Sequence, residues 1–566
     1  MKIALAQQNY HIGNFDANTK KIIEGIQWAK QIGADLVVFP ELSVCGYPPR
    51  DFLEFEDFIN KCYAAIDAIS THADTIGVLI GAPARNAEPE GKDLYNTAYL
   101  LYEKQVKAMV HKTLLPNYDI FDEYRYFEPA SEWNIVEFKG LKLAVTICED
   151  IWNMGENPLY RTTPMEELIK LQPDIMINLS ASPYNYAQDV VRNSIVKAHT
   201  LKYGLPMVYC NAVGAQTEIV FDGGSLVYDS AGNKVAEAKY FEEDYLVVDH
   251  TSLNASTIQN LTSNDVFFSA RDVRAGRNTL DYLRDAKNIT EIHQALIMGI
   301  KDYFAKMGFQ KAILGSSGGI DSAVVLALAV EALGKENVIA LLMPSQYSTS
   351  HSVSDAEKLS HILGNPYHII AIKNIYDAFL RELQPLFKDL PFGIAEENIQ
   401  SRARGNLLMA VANKFGYILL NTSNKSELAT GYGTLYGDMA GGISVLGDVY
   451  KTQVYALAKY INRKKEIIPE HIIYKAPSAE LRPDQKDSDS LPHYDELDTI
   501  LFNYIEDRLG PKEIVAEGYD EKLVARILKM VNMNEYKRNQ FCPIIRVSYK
   551  AFGVGRRMPI VGRYLS

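Results

Sequence analysis

Cysteine is scarce in this sequence, and no cysteine lies in a metal-binding or disulfide motif. The five cysteines are scattered among 566 residues, without a Cys-x-x-Cys pair or a Cys/His cluster. This argues against a disulfide scaffold or a zinc site and favours a reducing compartment. No apolar run approaches the roughly 20 residues of a membrane-spanning helix, and the run in MKIALAQQNY is too short for a signal peptide. We therefore expect a cytoplasmic protein with no membrane partner.

Basic charge is also in deficit. The formal net charge of -12 opposes general nucleic-acid binding, so we expect no nucleic-acid partner. One stretch departs from this balance, because Lys537 to Ser566 holds seven Lys or Arg and no Asp or Glu. It is either a solvated tail or a surface facing an anionic ligand or a neighbouring subunit. The apolar and charged fractions, 47% and 23%, are typical of a soluble globular protein. The length predicts two domains.

Residues 1–250 combine short apolar strands with helical patterns at 20–32 and 164–171. The strand candidates are Ile3–Ala6, Leu36–Phe39, Leu143–Ile147, Ile175–Asn178 and Met207–Cys210. Two neighbouring strands, Leu226–Tyr228 and Tyr245–Val248, predict antiparallel pairing as well. The pattern indicates a layered sheet and helix domain. A polar stretch, 251–281, is predicted to be a linker.

Residues 282–566 alternate strands and helices in the order of a doubly wound parallel sheet. The strand candidates are Ala312–Leu314, Val338–Leu342, His368–Ile372 and Tyr417–Asn421. Such sheets are parallel and are covered by helices on both faces. Their ligands bind at the carboxyl ends of the strands. We therefore expect an α/β domain with its site at that edge.

The segment GSSGGIDS, residues 315–322, lies at the end of one of these strands. It precedes an apolar helical stretch, Ala323–Leu333, so its backbone N–H groups and the helix dipole favour a phosphate. It lacks the lysine of a Walker A loop, so kinase or GTPase chemistry fits poorly. Asp321 offers a carboxylate suited to Mg²⁺ instead. The alternative interpretation is a serine and glycine turn without a ligand.

The first half carries three chemically complementary residues. Glu41 follows the strand Leu36–Phe39, Lys112 lies at the entry of a loop, and Cys148 follows Leu143–Ile147. A carboxylate can take the thiol proton, the thiolate can attack a carboxamide, and an ammonium can stabilise the oxyanion. Taken singly, Cys148 could be a small core residue and Lys112 a surface lysine. Together they predict an amidase site that releases ammonia.

The three segments around these residues, FPELSVCGYPPRD, MVHKTLLPNYDIFDEYRYF and LAVTICEDIW, resemble the nitrilase superfamily. The resemblance spans nearly all of residues 1–250. It implies an α/β/β/α sandwich and a Glu41, Lys112 and Cys148 triad, with further contacts to glutamine from Tyr118, Glu123 and Ser182.

Two residues near these motifs are interpreted differently from their neighbours. Cys45 is predicted to be a packing residue. In SASPYNYAQ, Gln188 stands where relatives often carry a basic residue, so Arg192 is a candidate cation for the substrate carboxylate.

The second half resembles the NAD synthetases, and SGGIDS resembles the pyrophosphate loop of the ATP pyrophosphatases. The implied fold is adenine nucleotide α-hydrolase-like. The resemblance further implies Asp487 as a contact and Asp448, with Asp438, as a residue that orders the site. To ATP it assigns Gly315, Ser316, Ser317, Gly318, Gly319, Ile320, Asp321, Ser322, Met343, Thr422 and Lys451. To deamido-NAD it assigns Asn398, Arg402, Arg404, Glu427 and Asp438, and to Mg²⁺ it assigns Asp321 and Glu427.

The order of the two halves resembles the family of glutamine-dependent NAD synthetases, with a glutaminase domain at 1–250 and a synthetase domain at 282–566. The resemblance implies glutamine, ATP and deamido-NAD as substrates, Mg²⁺ as cofactor, shielded transfer of ammonia, and a homo-oligomer. Three alternatives stay open: an amidotransferase acting on another carboxylate or a nucleobase carbonyl, a nitrilase-like amidase regulated by a nucleotide sensor, and a non-catalytic nucleotide-binding or scaffold protein.

Overall fold

The computed structural model describes residues 1–154, 158–254, 270–478, 480–483, 485, 487–489 and 491–565. The chain divides into two compact units, Met1–Gln216 with Val220–Ala275 and Thr217–Ile219 with Gly276–Ser566. Of the predicted linker 251–281, residues 255–269 lie outside the described residues. No helix in the described part of the chain is long and apolar enough to cross a membrane.

The chain up to residue 275 forms two six-stranded sheets and a two-stranded ribbon within the described ranges. The strands are β1 (Lys2–Gln7), β2 (Leu36–Val38), β3 (Gly77–Arg85), β4 (Leu94–Tyr102), β5 (Gln105–His111), β6 (Val136–Phe138), β7 (Leu141–Ile147), β8 (Ile175–Ser180), β9 (Met207–Asn211), β10 (Val213–Gln216), β11 (Ile219–Asp222), β12 (Leu226–Tyr228), β13 (Lys234–Glu237) and β14 (Asp244–Asp249). The helices are α1 (Phe15–Gln31), α2 (Glu56–Ser70), α3 (Glu123–Tyr126), α4 (Pro164–Leu168), α5 (Gln188–Tyr203) and α6 (Ala270–Arg274).

Alternating strand residues build the layers of the first unit. Successive side chains along a strand point to opposite faces of the sheet. Ile3 and Leu5 of β1 therefore pack against the second sheet, in a core with Val145 of β7, whereas Ala4 packs beneath helices α1 and α2. On the far side, Met176 of β8 packs against α4 and α5. The layers of the first unit are therefore helix, sheet, sheet and helix, which confirms the predicted α/β/β/α sandwich.

Each of the two six-stranded sheets contains three neighbouring parallel strands. Strands β1, β2 and β3 run parallel in the order β14-β1-β2-β3-β4-β5, and β7, β8 and β9 run parallel in the order β13-β12-β9-β8-β7-β6. The predicted pairing of β12 and β14 is wrong. Strand β14 pairs antiparallel with β1, and β12 pairs antiparallel with β9 and β13, so the two strands lie in different sheets.

The second unit contains a parallel sheet in the order β17-β16-β15-β18-β19, as the sequence predicts. Its strands are β15 (Ala312–Gly315), β16 (Val338–Leu342), β17 (Tyr367–Ile369), β18 (Ile418–Asn421) and β19 (Ile443–Ser444). Its helices are α7 (Thr279–Leu283), α8 (Ala286–Met307), α9 (Ile320–Leu333), α10 (Ser350–Leu363), α11 (Lys373–Phe387), α12 (Ile394–Phe415), α13 (Lys425–Thr430), α14 (Lys451–Ile461), α15 (Glu470–Tyr474), α16 (Tyr494–Ile505), α17 (Pro511–Ala516), α18 (Glu521–Met533) and α19 (Glu535–Arg538).

The strand order places a crevice beside β15. The chain proceeds from β15 through β16 to β17 on one side, and then returns to build β18 and β19 on the other. Strand order therefore reverses between β15 and β18, and ligands of doubly wound sheets bind at such a reversal, beyond the carboxyl ends of the strands. The loop at 315–322 follows β15, and Thr422 follows β18.

Part of the basic C-terminal stretch is folded into the second unit. Arg538 is buried and donates to the carbonyl oxygens of Leu428 and Ala429. Arg556 pairs with Glu535. The guanidinium groups of these two arginines therefore bind internal carbonyl and carboxylate oxygens, so the solvated-tail interpretation is wrong for them.

A close approach at Gly81 on β3 generates a test of the packing around Glu41. A Cβ atom at position 81 would lie 2.3 Å from the backbone nitrogen of Leu42 and 2.9 Å from Cα of Glu41. We expect Gly81→Ala to lower the free energy of unfolding of the first unit by about 3 kcal/mol, because the clash is with backbone. Gly140→Ala, where φ is 78° and a Cβ meets no atom within 4 Å, should cost only about 1 kcal/mol. If urea unfolding showed the same loss of unfolding free energy for both variants, the result would contradict this packing.

Candidate active sites

The first site forms where three segments meet at strand ends. Glu41 follows β2, Lys112 directly follows β5, and Cys148 directly follows β7. Cys148 begins a single turn of 3-10 helix, Cys148–Ile151, and its φ is 40°. This value is uncommon for a residue with a side chain, and such strain is typical of functional positions.

Lys112 is buried between two carboxylates. Its Nζ donates to Glu41 Oε1 at 2.6 Å and to Glu123 at 2.8 and 2.9 Å. Lys112 is 0% exposed, and both glutamates are buried. Burial alone would lower the pKa of Lys112, but the charges of Glu123 and Glu41 hold it well above its usual range. The lysine is therefore charged at neutral pH and balances one of the two carboxylates.

Further donors fix the two carboxylates. Glu41 accepts hydrogen bonds from Asn96 Nδ2 at 2.8 Å and from the backbone N–H of Ala181 at 3.0 Å. Glu123 accepts one from the Tyr47 hydroxyl at 2.7 Å. Because ionised carboxylates need several donors when they are buried, these bonds stabilise the charged arrangement around Lys112.

Cys148 is the third member of this cluster. Burial, with the nearby charge of Glu41, raises the pKa of its thiol well above the usual value. The resting group is therefore the thiol, and a base must remove its proton before it can act as a nucleophile. Glu41 is the carboxylate predicted for that role. Cys45, by contrast, is buried and its thiol faces the carbonyl oxygens of Leu42 and Gly46.

Two acids beside Cys148 were missed by the sequence analysis. Glu149 is buried and accepts hydrogen bonds from the hydroxyls of Tyr118, at 2.9 and 3.0 Å, and Tyr160, at 3.1 Å. Burial raises its pKa to about 7. The run Cys-Glu-Asp was visible in the sequence, but the tyrosines that enclose Glu149 come from other segments. Tyr118, a predicted glutamine contact, therefore binds the residue that follows Cys148.

Asp150 joins the segments that carry Lys112 and Cys148. Its Oδ1 accepts from the N–H groups of Thr113, at 3.0 Å, and Leu114, at 2.8 Å, and its Oδ2 accepts from that of Ile147, at 2.9 Å. The carboxylate therefore links the residues that follow Lys112 to the residue that precedes Cys148.

The predicted glutamine contact Ser182 lies just beyond β8. Its backbone N–H donates to Asn211 Oδ1 at 2.9 Å. Arg192 does not provide an open cation for a substrate. It is 0% exposed, and its guanidinium binds both oxygens of Asp222 at 2.7 and 3.0 Å. The suggested role of Arg192 in holding a carboxylate is therefore corrected to that of a buried structural ion pair.

The second site is a cavity of about 270 Å³ at the carboxyl ends of β15 and β18. Among the predicted ATP residues, those that line it are Gly315, Ser316, Ser317, Gly319, Ile320, Asp321, Ser322, Met343, Thr422 and Lys451. Gly318 is absent from this lining. Its φ is 73°, and a Cβ atom there would lie 2.1 Å from the carbonyl oxygen of Ser352. Only glycine can make that turn without displacing α10.

A lysine between two carboxylates also lines this cavity. Lys451 Nζ lies 2.5 Å from Asp321 and 3.8 Å from Glu427. Asn424 Nδ2 donates to Asp321 at 2.9 Å. Burial and the charge of Asp321 raise the pKa of Glu427 well above its usual value. Asp487 also lines the cavity and accepts from the Tyr494 hydroxyl at 2.9 Å.

Of the five residues predicted to contact deamido-NAD, three line the cavity and two do not. Arg404, Glu427 and Asp438 line the cavity. The other two are absent from its lining: Asn398 accepts a hydrogen bond from Thr434, and Arg402 is exposed and donates to the carbonyl oxygen of Leu435.

Asp448 is not part of the cavity lining. It is buried and accepts hydrogen bonds from the backbone N–H groups of Val547 and Ser548. It therefore binds the C-terminal segment, and any effect on the site is indirect.

Asp321 and Glu427 are the acids that could hold a divalent cation. Within the described ranges, no group of three or more His, Cys, Asp or Glu side chains is arranged to bind a metal by itself. Mg²⁺ suits such a pair, because it is commonly held by one or two carboxylates together with substrate phosphates and water. The residues present therefore fit this ion when a phosphate ligand completes its coordination.

Known proteins match both halves of the chain. The carbon-nitrogen hydrolase family model matches residues 2–259, and the NAD synthase model matches residues 292–541. A glutamine-dependent NAD(+) synthetase from Synechocystis sp. is 43% identical over 99% of this chain and 98% of its own length. The chain belongs to the glutamine-dependent NAD(+) synthetase family.

Other members of the glutamine-dependent NAD(+) synthetase family match over a similar extent. The Thermotoga maritima enzyme is 41% identical over 100% of this chain and 99% of its own. The structure of the Acinetobacter baumannii enzyme in complex with adenosine diphosphate is 38% identical, with a TM-score of 0.74, and covers 99% of this chain and 98% of its own. The two-domain fold of the family is therefore the fold of this chain.

Proposed function

We propose that this chain catalyses the glutamine-dependent formation of NAD from deamido-NAD, the final step of NAD biosynthesis. It is a ligase that forms a C–N bond, with glutamine as the amido donor and ATP as the co-substrate. The observation that carries the proposal is the presence, in one chain, of a buried Glu41, Lys112 and Cys148 cluster and of a phosphate-type loop beside Asp321 and Lys451.

Glutamine hydrolysis would use the first cluster. Glu41 accepts the proton of the Cys148 thiol as sulfur attacks the carboxamide carbon, and Lys112 stabilises the oxyanion that forms. Ammonia leaves with a proton returned from Glu41, and a thioester remains. Water, activated by Glu41, then releases glutamate. The fixed hydrogen bonds from Asn96 and Ala181 to Glu41 support this role, because they hold its carboxylate without occupying all of its acceptor positions.

Glutamine would be recognised by groups beside the nucleophile. We assign its ammonium to Glu149, which the Tyr118 and Tyr160 hydroxyls hold directly after Cys148. Ser182 and Tyr118 are the further contacts, and Glu123 acts through Lys112. A buried carboxylate beside the cysteine is complementary to an amino acid and unfavourable for a plain amide.

Amide synthesis would use the second cavity. The phosphates of ATP lie along residues 315–322, at the first turn of α9, where free N–H groups and Lys451 favour negative charge. Deamido-NAD would contact Arg404, Glu427 and Asp438 in the cavity, with Asn398 and Arg402 outside its lining. Its carboxylate attacks the α-phosphorus and pyrophosphate leaves. Ammonia then displaces AMP from the adenylate and forms the amide of NAD.

The magnesium ion belongs to this proposal. Asp321 and Glu427 would hold it, and bound Mg²⁺ neutralises phosphate charge. Lys451 reaches both of these acids, so the pair is already oriented by a cation in this structure. A homo-oligomer, a cytoplasmic location and shielded transfer of ammonia are further parts of the proposal. Shielding matters because most ammonia is protonated near pH 7, and only the neutral form attacks.

The proposed function is tested by following NAD and pyrophosphate with ATP, Mg²⁺ and deamido-NAD, using either glutamine or ammonium as the nitrogen source. We expect the unmodified chain to make NAD from both sources. Cys148→Ala should lose more than 99% of the glutamine-supported rate and keep the ammonium-supported rate, because only the first site needs a nucleophile. Cys45→Ala, at another buried cysteine, should keep both. Absence of pyrophosphate release with either source would refute the proposal.

The position of Glu149 predicts a pH dependence of glutamine binding. Because the pKa of Glu149 is about 7, the acid is mostly neutral at pH 6 and mostly ionised at pH 8, so KM for glutamine should fall about tenfold over this interval. Glu149→Gln should raise KM and remove its pH dependence. Tyr160→Phe removes a donor to the ionised form, so the transition should move to higher pH. A pH-independent KM in the unmodified chain would contradict this assignment.

A further inference from the structure

The two helices that carry Glu427 and Lys451 are joined behind the cavity by a single buried acid. Asp498, on α16, is 0% exposed. Its Oδ1 accepts from the Ser426 hydroxyl at 2.5 Å, and its Oδ2 accepts from the backbone N–H of Thr452 at 2.8 Å. Ser426 precedes Glu427 in α13, and Thr452 follows Lys451 in α14. One carboxylate therefore contacts the neighbours of both residues.

The Ser426 hydroxyl completes this connection. It donates to Asp498 and accepts from the backbone N–H of Lys451 at 2.9 Å. The residue that precedes α14, Tyr450, provides no side-chain cap for the helix. The first N–H groups of a helix have no partner within it, and at α14 two of them are satisfied by groups from outside the helix. The start of α14 is thereby fixed to the first turn of α13.

The other side chains at the start of α13 contact two different sets of residues. Glu427 lines the cavity 3.8 Å from Lys451, and Asn424 donates a hydrogen bond to Asp321. Lys425 points away and contacts Glu506 at 2.8 Å. Its side chain also pairs with Asp448 at 2.9 Å, and its backbone N–H donates to the carbonyl oxygen of Val449, so Lys425 binds α13 to the segment that precedes α14. The Asp498 and Ser426 connection acts on the first turn of α14 itself, through the backbone N–H groups of Lys451 and Thr452.

We propose that Asp498 is a positioning residue of the synthetase site, acting through Ser426 and the first turn of α14 on the separation of Glu427 and Lys451. It touches neither ATP nor deamido-NAD. The inference rests on the proposed function in that it takes the phosphates of ATP to lie against Lys451. Its effect is geometric, because a buried carboxylate with three fixed donors in its network allows one arrangement of the two helices.

The test compares two single hydroxyl deletions in α13. Ser426→Ala removes the bridge, whereas Thr430→Val removes a hydroxyl that bonds only to carbonyl oxygens of its own helix. Calorimetric titration with ATP and Mg²⁺ should show about tenfold weaker binding for Ser426→Ala and less than threefold for Thr430→Val. In a Lys451→Met background, Ser426→Ala should weaken binding less than twofold further, since the group it positions is gone.

Each outcome decides the inference. Equal effects of the two deletions, or a tenfold loss from Ser426→Ala in both backgrounds, would overturn it, because the second result indicates general damage to the unit. If Ser426→Ala does not fold, Asp498→Asn is measured by the same cycle against the same control. Failure of the proposed function is separate: it would appear as absence of pyrophosphate release by the unmodified chain, whatever the binding cycle shows.

Discussion

Each candidate active site of this chain depends on a buried lysine held between two carboxylates. Lys112 lies between Glu41 and Glu123, and Lys451 lies between Asp321 and Glu427. A buried charge is costly unless it is paired and hydrogen-bonded, and removal of one partner from such a group typically costs about 3–5 kcal/mol. The two clusters therefore constrain the segments that supply them, and the strands and helices around them are placed accordingly.

The same arrangement serves two different chemistries. In the first unit the lysine faces a cysteine, so the cluster can supply a base and an oxyanion partner for amide hydrolysis. In the second unit the lysine lines a cavity next to a glycine-rich loop, so the cluster can face phosphates and a divalent cation. What differs is the neighbour that the fold brings to the lysine: a strained turn at Cys148 in one unit and the start of α9 in the other.

Sequence reasoning proposed the groups that would react but not the groups that hold them in place. The loop at 315–322 and the segments around Glu41, Lys112 and Cys148 have local signatures, because each lies directly after an apolar strand. The contacts of Asp150 join residues 36 and 37 apart in the chain, and Asp498 acts on residues 46 and 72 away. Such contacts depend on tertiary packing, which no local pattern encodes. The errors at β12, β14 and Arg192 have the same origin: strand partners and ion pairs are chosen by packing rather than by sequence neighbours.

The most direct test of this account is the rate of NAD formation from ammonium and from glutamine in Lys112→Met and Lys451→Met, with folding checked by circular dichroism. If each lysine is the centre of one half of the chemistry, Lys112→Met will form NAD from ammonium near the unmodified rate and almost none from glutamine. Lys451→Met will form almost none from either source. Loss of ammonium-supported synthesis in Lys112→Met, or retained synthesis in Lys451→Met, would contradict the account.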